Sequence, residues 1–375
     1  MSAKHIIQPL WEGYGSVERI TSAEGTSVVI KRVTPPVDGK GIGHERKLQS
    51  YIVEASFYCS SLPALLTEAG ATVAQPAPGY PPASSDLIAL TDLTSSHPIQ
   101  KPKGGLTTED IRASLRWAAN LHAATWEGFG DELKDLLPSL WPTGTFFRLQ
   151  ARHDELEAMN AHGTGGAERQ LARIARAVDL RLRGHHRPPL DQRADEGRLA
   201  DGASGWALLH GDLKAPNLFF APSKTSTPAP SSVAACDLQY CGPGCVMLDV
   251  AYLLLNSGRE EQLAGGADRE LVAYYVEELA RARRQRRADP GDAYTFERAW
   301  REFRLAVCDY TRFLAGWCVG RTRQPSPYAM ACALELADEI LCLANAEREA
   351  CGATAGDEGE TGRVLQVLWQ ICPAD

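Results

Sequence analysis

The run Leu208–Phe220 reads LLHGDLKAPNLFF, and it holds an aspartate followed five residues later by an asparagine. Asp212 is a carboxylate that could orient an attacking hydroxyl and accept its proton. Asn217 offers an oxygen to a divalent cation, and Lys214 is a point charge within reach of a phosphate. A second acid, Asp237, ends the short apolar run VAAC, where a further hard ligand for Mg2+ would stand. A base, two metal ligands and a phosphate-facing cation are what phosphoryl transfer from ATP requires. A His-Gly-Asp-x4-Asn pattern by itself is also an ordinary capped loop, so its weight depends on what accompanies it.

The accompanying parts come in order. Lys31 lies in VVIKRV, where its ammonium could bind the α/β-phosphates; alone it would read as an edge or snorkelling lysine. Glu54 on the next helical stretch is its natural ion-pair partner. GYGS places Gly13, Gly15 and Ser16 in a turn whose bare amides can approach phosphates. Asp249 enters the segment after Asp237 and reads either as a helix N-cap or as a brace for the Asp212 loop.

The elements that must position these residues change character along the chain. HIIQPLW, SVERIT and TSVVIKRV are β-branched runs separated by glycine turns, which predicts a three-strand antiparallel meander. ERKLQSYIVEASFYCSSLPALLTEAG has helical periodicity, DLIALTDL reads as another strand, and helices dominate from Thr107, where Thr107 and Asp110 form a capping-box pattern. Residues 131–183 are expected to be mostly helical. Strands first and helices later predict an α+β fold of two lobes. The boundaries are 1–93 for a β-rich N-lobe and 94–375 for a helical C-lobe. Within the latter lie the catalytic loop at 208–220, a metal-binding segment at 233–252 and a polar mobile loop at 184–205.

With these residues in place, the chain resembles the kinase-like small-molecule phosphotransferases, the group of aminoglycoside phosphotransferases and choline kinases. It is most similar to the ecdysteroid kinase-like (CHK kinase-like) branch. YIVEASFY, LIALTDL, LHAATW and CDLQ…LDVAYLL are similar to that branch's motifs, over about residues 5–260. The resemblance implies a bilobal protein-kinase-like fold, with Asp212 as base, Asn217 and Asp237 as Mg2+ ligands and Lys31 paired to Glu54. It also implies that Thr91, Asp92 and Leu93 line the adenine through backbone groups. Thr91 stands where the branch usually has Glu, and Leu238 where it has Phe.

Gly211 separates this chain from protein kinases, whose arginine at that position holds a phosphorylated activation loop. Eleven residues lie between Asp237 and Asp249, too few for a regulated peptide-docking segment. The expected acceptor is therefore a hydroxyl of a small molecule. Tyr240, Asp309, Tyr310 and Trp317 could line its pocket, but Phe303, Val307, Tyr310, Leu314 and Trp317 form a helical stripe better suited to core packing, and His122 reads as structural. The alternatives are a silent nucleotide-binding scaffold, which five intact polar positions disfavour, or a protein-directed kinase.

Composition limits the rest. A net charge of −8 disfavours nucleic-acid binding. Apolar residues at 44% and charged residues at 23% fit a globular protein. No apolar run is long enough to span a bilayer, and ten scattered cysteines without zinc spacing suggest reduced thiols in the cytoplasm.

Overall fold

The computed structural model describes residues 3–126, 135–162, 166–183, 205–223, 232–286, 294–319, 324–351, 363–364 and 366–368. The α+β class is as expected: a small β-rich region followed by a larger helical part. Strands β1 (Ala3–Pro9), β2 (Gly15–Thr21), β3 (Ser27–Val33) and β5 (Leu87–Thr91) form one antiparallel sheet in that order. Strand β3 is interior, paired on both sides, with Lys31 opposite Val17 and Ile88. That placement removes the edge-lysine reading: Lys31 is only 9% exposed.

The helical stretch after the meander is two helices, α1 (Ile42–Tyr58) and α2 (Leu62–Glu68). Ser60 breaks it by donating to the Phe57 carbonyl and accepting from Leu62 N, with Pro63 opening α2. Two small sheets were not legible as sheets, although the apolar run VAAC, read as a strand, is one of theirs. Strands β4 (Thr72–Val73), β6 (Ile99–Gln100), β8 (Leu218–Phe220) and β9 (Val233–Ala235) form one, in the order β4-β9-β8-β6. Strands β7 (Trp206–Leu209) and β10 (Gly242–Cys245) form the other. Each is a few residues long and stands by packing on helices rather than by its own pairing.

Helix α3 (Thr108–Ala124) starts at the expected capping box: Thr107 accepts from Asp110 N, and Asp110 accepts from Thr107 N at 2.8 Å. Such a cap stabilises a helix start by about 1 kcal/mol. Residues 135–152 are not helical as predicted, apart from two single 3-10 turns; helices resume at α4 (His153–His162) and α5 (Gly166–Arg183). Pro142 and Gly144 stop a helix here, and Gly144 lies so close to β10 that an added Cβ would meet the Gly242 oxygen at 2.6 Å. The strap made by Trp141–Arg148 is tied to the Asp237–Pro243 segment by Thr145 N to Tyr240 O and Gly144 N to Pro243 O.

Helices α6 (Met247–Ser257), α7 (Ala267–Gln285), α8 (Phe296–Trp317) and α9 (Pro327–Cys351) complete the helical part. Helix α8 packs against α4, α5, α6 and α9, and α3 packs against α7. Of the stripe read on α8, Phe303, Val307 and Tyr310 are buried, and Leu314 and Trp317 are half-buried against the same core. The expected mobile loop lies outside the described residues, save Gly205.

Candidate active site

The Asp212 loop leaves β7 and is held from below by a buried carboxylate. Asp249 Oδ2 accepts from His210 N at 2.7 Å, and Oδ1 accepts from Gly211 N at 3.0 Å. Asp249 is the third residue of α6, whose cap position is Val246, so of its two readings it is the brace and not the N-cap. His122 stands behind it, with Nε2 3.4 Å from Asp249 Oδ2 and Nδ1 2.7 Å from the Tyr275 hydroxyl, which is the structural role read for it. His210 joins the loop to the second acid: Nδ1 accepts from Asp212 N and Nε2 faces the Cys236 carbonyl at 3.0 Å.

Gly211 has a positive φ of 80°. A Cβ there would lie 2.0 Å from the Tyr240 carbonyl oxygen. The glycine is therefore demanded by close backbone approach as well as by conformation, so an arginine side chain has no room at this position.

Asp212 is 3% exposed, and both of its oxygens are engaged. Oδ1 accepts from the Tyr252 hydroxyl at 2.9 Å; Oδ2 accepts from Lys214 Nζ at 2.7 Å and Asn217 Nδ2 at 3.2 Å. Burial raises the carboxyl's pKa and Asp237 adds to the rise; Lys214 opposes it, and the net shift is upward. Tyr252 was missed in the sequence because it sits in LDVAYLLL, which reads as an unbroken apolar face. Asn217 Nδ2 also donates to Asp212 O at 2.9 Å, so its amide nitrogen is committed inside the loop.

Strand β9 delivers Asp237 beside this loop, with Cys236 N bonded to the Asn217 carbonyl. Asp237 adopts a φ of 68°, a left-handed conformation rare for a non-glycine residue and typical of functional positions. Its side chain is 27% exposed, and Oδ1 accepts from Lys31 Nζ at 3.0 Å. Lys31 also pairs with Glu54 Oε2 at 2.5 Å and lies over the Tyr51 ring. Burial pushes the Asp237 carboxyl up, but Lys31 and Lys214 outweigh it and its pKa falls below the ordinary value. Glu54 moves the other way: burial raises it despite Lys31. The structure thus brings together Lys31, Glu54 and Asp237 in one group, and Asp212, Lys214 and Asn217 in another, joined through Asn217 and Cys236.

The remaining predicted residues are placed differently. Gly15 has a φ of 130° and would clash with the Arg32 carbonyl oxygen if it carried a Cβ, whereas Gly13 faces open space. The Ser16 hydroxyl donates to Glu18 Oε1 at 3.0 Å. Thr91 N donates to Gln75 O at 2.8 Å. Asp92 accepts from Arg19, Ser27 and Thr94. Leu93 is buried. The Thr91 amide and the Asp92 carboxylate hold the strand end, and the Asp92 and Leu93 carbonyls accept from Ser95 N and His97 N within the turn that follows.

An ionised, partly exposed Asp237 and the oxygen of Asn217 form a hard-donor pair suited to Mg2+, which takes one or two protein oxygens and completes its shell with phosphates and water. Among the described residues no group of three or more His, Cys, Asp or Glu side chains could hold a metal.

The ecdysteroid kinase-like family model matches residues 181–287, the stretch containing the Asp212 loop, Asp237 and Asp249. Choline kinase from Cryptosporidium parvum Iowa II has a similar structure over 90% of this chain and 90% of its own, at 11% identity and a TM-score of 0.52. Plasmodium vivax ethanolamine kinase is similar over 89% of this chain and 81% of its own, at 12% identity and a TM-score of 0.45. Among curated proteins none matches the chain. The resemblance read from the motifs therefore holds: the chain has the fold of the small-molecule kinase-like proteins, and residues 181–287 carry the pattern of the ecdysteroid kinase-like family.

Proposed function

We propose that this chain transfers the γ-phosphoryl group of ATP to a hydroxyl of a small molecule, with Mg2+ as cofactor. The observation that carries this reading is the environment of Asp212, a buried carboxylate of raised proton affinity fixed by three donors on a loop shared with Asn217 and Lys214. Such a group orients an attacking hydroxyl and takes its proton as the oxygen–phosphorus bond forms and ADP departs. Lys214 neutralises charge on the transferring group. Lys31, fixed by Glu54, turns from Asp237 to the α/β-phosphates. Mg2+, held by Asp237 and Asn217, would neutralise charge on the phosphate oxygens. Residues 1–93 serve as the nucleotide lobe and 94–375 as the acceptor lobe.

A small acceptor is supported by the fate of residues 238–248. They form a short turn, strand β10 against β7 and the start of α6, leaving no length for a peptide-docking loop. The fold neighbour named above is a kinase of choline, itself a small alcohol. Among the described residues no helix is long and apolar enough to cross a membrane, and free thiols, exposed Cys59 and Cys342 among them, together with ATP chemistry fit the cytoplasm.

The test is a pair of variants. Asp237→Ala should lose Mg2+-dependent ATP binding, measured by calorimetry. Asp212→Asn should bind MgATP and lose turnover. Full turnover by Asp212→Asn would remove the assignment of the base.

A further inference from the structure

The Lys31 ammonium stands in a socket with three walls. Glu54 Oε2 lies 2.5 Å away, Asp237 Oδ1 lies 3.0 Å away, and the centroid of the Tyr51 ring is 5.3 Å beneath it. Tyr51 and Glu54 are three residues apart on α1, so one face of that helix presents both to strand β3. Lys31, Tyr51 and Glu54 are all buried. A cation on an aromatic face gains most where water is excluded. Burial pushes the Tyr51 phenol up to about 12 against the pull of Lys31. The ring therefore stays neutral, and its face keeps the quadrupole that attracts an ammonium.

The Tyr51 ring is itself fixed. It belongs to a small core apart from the main one, with Leu10 and Tyr14 of the glycine turn and Val33 at the end of β3. The Tyr14 and Tyr51 rings lie 6.3 Å apart. Tyr14 is held by His44 Nδ1, 2.5 Å from its hydroxyl, and by the Lys47 ammonium, 4.6 Å from its ring centroid. Lys47 also pairs with Glu12 of the same turn. A row of Lys47, Tyr14, Tyr51 and Lys31 thus runs from the glycine turn to the ammonium.

The three walls differ in what else they serve. Asp237 is the carboxylate assigned to Mg2+, so its contact with Lys31 is given up when metal and nucleotide enter. One remaining carboxylate contact fixes a distance and leaves the ammonium free to swing about it. A ring face at a second point on the same helix removes that freedom. Resting on the phosphotransferase reading, we infer that Tyr51 is a positioning residue: its ring face, with Glu54, holds the Lys31 ammonium at α1 for the α/β-phosphates once Asp237 has passed to Mg2+. Its effect is on the phosphates and not on the nucleoside.

The test changes the charge of the ring and not its shape. Full-length protein carries Phe, 4-fluoro-, 3,5-difluoro- or 3,4,5-trifluorophenylalanine in place of Tyr51, since fluorine withdraws electron density from the face at nearly constant volume. Calorimetry gives the Kd of the Mg2+ complex of a non-hydrolysable ATP analogue. Ligand-observed NMR gives that of adenosine, which has no phosphate for Lys31 to meet. The analogue should weaken stepwise, by about tenfold from Phe to the trifluoro ring, with adenosine unchanged. An affinity indifferent to fluorine, or an equal loss for adenosine, would overturn the inference.

A second readout needs no nucleotide. The Lys31 ε-methylene protons, assigned by their absence in Lys31→Met, should be shifted upfield by the ring current with Tyr or Phe at position 51. They should return toward the ordinary lysine value in Tyr51→Leu; if that variant does not fold, the wild-type shift and the fluorinated series decide. An unshifted Lys31 resonance in the wild type would equally contradict the inference. If the analogue does not bind the wild type, the phosphotransferase reading falls, while the Lys31 resonance still decides whether the ring holds the ammonium.

Discussion

Asp212 carries the chemistry in this account, and the groups around it set the pH at which it can act. Its carboxyl is raised by burial and by Asp237 against the pull of Lys214, so the acid limb of kcat/KM should lie above the ordinary aspartate range. Tyr252 donates to the anionic form. Tyr252→Phe removes that donor, leaves the carboxylate less stabilised and should shift the limb to higher pH; a pH–rate profile measures this. Asp212→Asn should lower turnover by about 10²- to 10⁴-fold in a coupled ADP assay. Linkage gives this variant a second signature. A group whose folded pKa is raised stabilises the fold below its unfolded pKa and loses that contribution as pH rises through the folded value. At neutral pH the buried Asp212 carboxylate is thus a net cost, and Asp212→Asn should melt no lower than the wild type. Which polar residues would meet was legible at this scale, because Asp212, Lys214 and Asn217 share six residues of sequence and spacing alone brings them together. Tyr252 was not, since its hydroxyl partner lies forty residues away and its neighbours are all apolar.

At the scale of elements, the loop is shaped by a glycine and a buried acid that touch no phosphate. Gly211→Ala combines a left-handed backbone with a Cβ driven into the Tyr240 carbonyl, and should destabilise the protein by about 3 kcal/mol or more in urea unfolding. Asp249→Ala strands two buried amides, His210 N and Gly211 N, for a loss of about 2–6 kcal/mol in the same measurement. The sequence identified Gly211 as the departure from protein kinases, and the structure adds the reason that the departure is obligatory. Asp249 had two equally good readings in the sequence; its depth in α6 and the two amides it serves decide for the brace. The strap at 141–148 was misread as helix because its aromatic and apolar residues suit either state, while contacts with β10, remote in sequence, select the irregular one.

Across the whole molecule, the antiparallel meander and the later helices were legible from periodicity, whereas the two small sheets were not. Their strands are two to four residues long and acquire their form only when the helical part is assembled around them. Those same strands seat the ends of the Asp212 loop and the Asp237 segment, so the candidate site depends on contacts between distant parts of the chain. Binding of MgATP across these segments should stabilise the fold by about 2.7 kcal/mol at a hundredfold excess over Kd, read as a rise in Tm, and Asp237→Ala should abolish the Mg2+-dependent part of that rise. The central claim, transfer to a small hydroxyl acceptor, is tested most directly by γ-labelled ATP. The protein is incubated with the label, Mg2+ and a metabolite extract, and the low-mass fraction is resolved by mass spectrometry against an Asp212→Asn control. The account predicts a labelled small-molecule phosphate ester with the wild-type protein and none with the variant. Label confined to protein, or the absence of any labelled ester from a protein that binds MgATP, would contradict it.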